Sequence, residues 1–152
     1  MNSGIKIVAS NRKASHEYFL LEQLEAGVAL WGSEIKSIRA GRISLAEAYV
    51  RVDGSEAWLE DAHIASYEQS GRFNHEPRRP RKLLLHKKEI RYLWIQVRQK
   101  GVTIVPLRVY LKNGRAKIEI AVAKGKKLYD KRETIAKRDA QREIERDFHR
   151  RD

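Results

Sequence analysis

The chain has 152 residues, with 32 Lys plus Arg against 20 Asp plus Glu, a formal charge of +12 at pH 7 and no cysteine. That length fits one domain plus a tail, large enough for a packed core without staples, and the missing thiols exclude disulfide scaffolds, thiolate zinc sites and thiol nucleophiles. No apolar run reaches signal-peptide or membrane-span length, so a soluble cytoplasmic monomer is expected, and the charge excess makes a polyanion its leading partner. The charge is divided unevenly: residues 1–71 sum to −3 and residues 72–152 to +15.

In chain order, Glu17 to Leu24 reads equally as a strand or a short helix, and Gly27 to Gly32 as extended chain. Ser33 then stands where it can cap a helix Glu34 to Ala40 that stops at Gly41, with Ile35 and Ile38 on its buried edge. Asp53-Gly54 separates Ala48–Val52 from Ala57–Leu59 and predicts a hairpin with a two-residue turn. Two prolines and the like charges of Arg72 to Lys82 predict an extended loop displaying guanidinium groups, with Phe73 and His75 available to stack on bases. Lys87 to Arg98 places Ile90, Leu93, Trp94 and Val97 on one helical stripe.

Asn113-Gly114 predicts a second hairpin whose register can be checked internally. With the turn there, Leu111 faces Ala116, Val109 faces Ile118, Leu107 faces Ile120 and Val105 faces Val122 on one side, while Tyr110 meets Lys117 and Arg108 meets Glu119 on the other. The set of strands and short helices predicts a mainly β chain folded as an OB-like antiparallel barrel over residues 1–123. Residues 124–152 form the predicted tail, rich in helix formers but with too few apolar residues to fold alone: by composition it reads either as a solvated, partly frayed segment or as one that turns helical against a polyanionic surface.

No motif for catalysis stands out. The five histidines, His16, His63, His75, His86 and His149, are scattered without metal-ligand spacing, and no phosphate-binding glycine loop or nucleophile elbow is present. The reading is a non-enzymatic binder with no cofactor and no metal. By composition alone, a single-stranded nucleic-acid binder and a ribosomal structural protein remain open as alternatives.

The run Asn11 to Phe19, the stretch Glu25-Ala26-Gly27 through Lys36-Ser37-Ile38-Arg39, the block Arg81-Lys82-Leu83-Leu84-Leu85-His86, and Ala123-Lys124-Gly125-Lys126-Lys127-Leu128-Tyr129-Asp130-Lys131-Arg132 closely resemble the small protein B, or SsrA-binding protein, family of bacteria. The resemblance covers nearly the whole chain in one order. It implies an OB-fold body, a tail disordered when free, and binding to the tRNA-like domain of transfer-messenger RNA, which the family brings to stalled ribosomes for trans-translation. Carried over by position, it implies RNA contacts at Glu25, Arg39, Leu84, His86, Lys124, Lys126 and Lys127, to which the basic loop adds Arg79 and Arg81. It further implies contacts of Tyr129, Asp130, Lys131 and Arg132 with the vacant decoding centre, the tail turning helical in the mRNA channel. Two departures stand out: Ile95 occupies a position where the family commonly has Gly, implying a longer helix, and Ala140 replaces a commonly aromatic tail residue.

Overall fold

The computed structural model describes residues 4–126. Its elements are β1 (Ile5–Ser10), α1 (Arg12–Glu17), β2 (Tyr18–Val28), α2 (Gly32–Arg39), β3 (Ile43–Ser44), β4 (Tyr49–Val52), β5 (Ala57–Glu60), β6 (His63–Ile64), β7 (Arg81–Leu84), α3 (Lys87–Val97), β8 (Val102–Lys112) and β9 (Arg115–Gly125), with a 3₁₀ segment at Glu68–Phe73. Seven strands pair antiparallel in the order β1-β8-β9-β2-β7-β5-β4, and β3 pairs with β6. The long strands β8 and β9 twist and curl the sheet until β4 packs back against β8, which makes the expected OB-like barrel.

The β8–β9 hairpin is the frame. Asn113 and Gly114 both take positive φ (52° and 79°), as the turn requires. From there the expected pairs hold through Arg108 with Glu119. Beyond that point the register slips by one: Ile120 meets Pro106 instead of Leu107, and Val122 meets Ile104 instead of Val105. The cause is local. Pro106 has no N–H to give the ladder, and Asn11 holds the bulged chain by donating its side-chain amide to the Pro106 carbonyl (2.9 Å) and its backbone N–H to that of Leu107 (2.7 Å).

This bulge divides the core. Ile104, Val109, Ile118, Ile120 and Val122 stay in the main cluster with Leu59, Leu83 and Leu93. Val105 and Leu107 instead turn to the other side, where Ala14 of α1, Ala121 and Ala123 close a second, smaller cluster. A helix over Arg12–Glu17 was not expected. It forms because the Asn11 carboxamide oxygen accepts from the Ala14 N–H (3.3 Å) and buries Ala14 over the bulge. Of the ambiguous Glu17 to Leu24 segment, Glu17 closes α1 and the rest is strand, paired with β9 along most of its length.

The α3 stripe is as expected, with Ile90 and Leu93 buried and Trp94 and Val97 packed at the margin. The helix runs past Ile95, which is exposed. At the β4–β5 connection the turn is longer than expected, four residues instead of two, with the Asp53 carboxylate accepting from the N–H groups of Ser55 and Glu56. Ser33 does not cap α2. Trp31 is the N-cap residue, and Ser33 lies buried within the first turn.

Candidate nucleic-acid interface

The strand register brings distant residues into lines on the outer face of the barrel. Across four strands, Tyr110 of β8 faces Lys117 of β9, Lys117 faces Gly27 of β2, and Gly27 faces Leu84 of β7. The adjacent row is Arg108, Glu119 and Glu25. With strands about 4.8 Å apart, the first row spans roughly 14 Å. Gly27 sits at the close approach: a Cβ there would stand 3.1 Å from the Cβ of Leu84. The missing side chain leaves the floor of a groove of about 590 Å³, lined by Glu25, Lys82, Leu84, His86, Lys87 and Lys117 among others.

Three of the sequence-predicted residues, Glu25, Leu84 and His86, therefore meet in one groove. Glu25 is held ionised. The Tyr110 hydroxyl donates to its carboxylate, which outweighs the opposing effect of burial, and Lys112 (Nζ–Oε2 3.6 Å) and Lys117 add positive potential, so its pKa lies below the ordinary value. Burial first, and then the Glu25 carboxylate, push the Tyr110 pKa up, so the phenol remains a donor. The groove thus presents a carboxylate that accepts, ammonium groups that meet phosphates, and the exposed Leu84 side chain against which a sugar or base can pack. Lys117 was not singled out from the sequence as a contact. The Asn113-Gly114 register already put it beside Tyr110, and only the β2 pairing shows that it also faces Gly27.

The other expected residues are distributed. Arg39, at the end of α2, reaches the Gly114 carbonyl at the tip of the β8–β9 hairpin (3.4 Å). Lys124 pairs with Phe19 and Val102 inside the ladder, and Lys126 donates to the Ser15 carbonyl (3.1 Å) with its ammonium 5.4 Å from the Phe19 ring centre. Six residues of β2 separate Phe19 from Glu25, or about 20 Å, so these lysines belong to the opposite end of the barrel. Lys127, Tyr129, Asp130, Lys131, Arg132 and Ala140 lie outside the described residues.

The basic loop departs from expectation. Arg81 is 0% exposed and displays nothing to solvent: its guanidinium binds Glu34 (Nε–Oε2 2.6 Å) and the carbonyls of Ala62 (2.7 Å) and Pro77 (3.0 Å). Arg79 forks onto the same carboxylate through Nη2 and Nε, the latter at 3.1 Å. His75 is not a stacking group either. It is buried, its Nδ1 paired with the Ser33 hydroxyl (2.8 Å) and its Nε2 with the Ile64 carbonyl (2.8 Å). Glu34 also accepts from the Trp31 N–H (2.7 Å). Burial alone would raise the Glu34 pKa, but Arg79, the Trp31 N–H and Arg81 outweigh it and hold the carboxyl low. A charge-dense loop is tolerable here because a buried glutamate neutralises it from inside.

An OB-like barrel with a groove on one face lined by Lys82, Lys87 and Lys117 is a small polyanion-binding protein in type. The SmpB protein family model matches residues 8–150, and the chain belongs to that family. The SsrA-binding protein of Desulforudis audaxviator is 60% identical over 141 residues, covering 93% of this chain and 92% of that protein. Its counterpart in Roseiflexus sp. is 63% identical over 142 residues, covering 93% and 90%. A solved structure described as "tmRNA-SmpB: a journey to the center of the bacterial ribosome" superposes with a TM-score of 0.67 at 45% identity, covering 82% of this chain and 85% of that one.

Proposed function

We propose that this chain is a non-enzymatic, cytoplasmic RNA-binding protein that holds the tRNA-like domain of transfer-messenger RNA in the Glu25–Leu84–Lys117 groove and delivers it to stalled ribosomes. The observation that carries the reading is the double row across β8, β9, β2 and β7, which gathers an accepting carboxylate, a cation and an apolar contact in a chain of this family. Ionised Glu25 suits 2′-hydroxyl and base-edge donors, and the lysines around it suit phosphates. Lys124 and Lys126 stand at the end of β9, and the segment that follows in sequence, with Tyr129 to Arg132 foremost, takes the role of sensing an empty decoding centre and mRNA channel.

Competition binding of transfer-messenger RNA against bulk tRNA at 50 and 200 mM salt tests the groove. Preference for transfer-messenger RNA at both salts is expected, with affinity falling by about 0.7–0.9 decades per phosphate contact per decade of salt. Equal binding of tRNA or of a homopolymer would refute it in favour of a generic single-stranded binder. Removing residues 127–152 is expected to abolish peptide tagging on stalled ribosomes while leaving most of the RNA affinity.

A further inference from the structure

We propose that Trp31 and Arg79, neither of which lines the groove, form a prebuilt stacking platform for an unpaired base of the bound RNA. The proposal rests on the RNA-binding reading above and adds a subsite to it. Trp31 is 53% exposed and takes no part in either core cluster. The Arg79 guanidinium lies over its ring, 5.0 Å from the centre. That guanidinium cannot drift, because Glu34 grips it through Nη2 and Nε and the Pro80 carbonyl takes Nη1 (3.2 Å). Glu34 in turn is tied to the backbone N–H of Trp31 itself. Ring, cation, carboxylate and the Trp31 backbone thus close a cycle that holds a cation over one face of the indole, while about half of the side chain stays exposed.

The fold does not need that indole. The α2 N-terminus uses only the backbone N–H of residue 31, which any residue but proline supplies, and an exposed cation–π contact is worth little to stability. Burying the ring against a ligand is where its surface has value. The surroundings name the ligand's chemistry: residues 72–91 carry +6. Two further aromatic–cation pairs lie on α2 and the loop clasped to it, Phe73 under Arg72 (5.0 Å, the ring 72% exposed) and Tyr67 under Lys36 (5.6 Å). Aromatic faces interleaved with cations are the pattern that holds splayed-out bases and their phosphates.

The chain has three tryptophans, at positions 31, 58 and 94. In a full-length Trp58→Phe, Trp94→Phe background, Trp31 alone reports. Titration with transfer-messenger RNA is expected to quench its emission, while a fully paired RNA duplex is not. Trp31→Leu, which keeps apolar bulk without a π face, is expected to weaken transfer-messenger RNA binding roughly 5- to 150-fold, and Trp31→Phe to recover most of it, with thermal midpoints unchanged. Binding by Trp31→Leu within twofold of wild type, or quenching absent at saturation, overturns the platform while leaving the groove reading intact. If the wild type shows no preference for transfer-messenger RNA over bulk tRNA, the groove reading and the platform fall together.

Discussion

Substituting Glu34 by Gln is the sharpest probe of how the basic loop is held. Glu34 is fully buried and receives Arg79, Arg81 and the Trp31 N–H, so the neutral amide leaves the buried Arg81 charge without its counter-ion. Breaking a buried ion pair from one side costs about 3–5 kcal/mol. Arg81 keeps its bonds to the Ala62 and Pro77 carbonyls, which places the expected loss near the lower end, about 3 kcal/mol. For a body of this size that corresponds to a thermal midpoint lower by roughly 10–15 °C. The double change Glu34→Leu, Arg81→Met removes both charges and should cost less than Glu34→Gln alone. A depressed carboxylate stabilises the native state above its unfolded value, so the deficit of Glu34→Gln should be complete at pH 7 and shrink as pH falls through the lowered native value. Urea unfolding of the three proteins at pH 7 and over a descending acid series measures all of this. A loss under 1 kcal/mol for Glu34→Gln, or a double variant worse than the single, would refute the internal-neutralisation account.

Gly27→Val forces a branched side chain against Leu84, already 3.1 Å from an added Cβ, and should cost about 1–3 kcal/mol and weaken RNA binding at least tenfold in filter assays; unchanged binding would remove Gly27 from the groove floor. Tyr110→Phe removes the first cause of the low Glu25 pKa. Its expected cost, about 0.5–1 kcal/mol at pH 7 because Glu25 is partly exposed, should shrink as the pH falls through the lowered Glu25 value, as urea melts over a descending pH series will show. Asn11→Ala takes away the clamp on the Pro106 bulge and the α1 cap together, and a loss of about 1–2 kcal/mol by thermal melting is expected.

The parts of the fold legible in the sequence were those governed by local pattern. The α3 stripe and the Asn113-Gly114 hairpin follow from periodicity and turn chemistry, which need only neighbours. What failed needed distant partners. Nothing near Pro106 announces that Asn11 will take up the bulged carbonyls, and without that the register past Arg108 cannot be placed. Arg79 and Arg81 illustrate the same limit at the site: a run of arginines reads as a displayed charge until the buried Glu34 from α2 is known. Glu25, Leu84 and His86, which line one groove, were proposed through resemblance, whereas placing Lys117 beside them needed the three-way pairing of β9, β2 and β7.

The pairing of β2 with β9 has a mechanical meaning. Nine residue pairs hold the two strands together, from Tyr18 with Gly125 at one end to Gly27 with Lys117 at the other. A ladder of that kind does not stretch, so it works as a ruler: the groove at Glu25 is kept about 20 Å from the corner where Lys126 meets Phe19, whichever way the molecule tumbles.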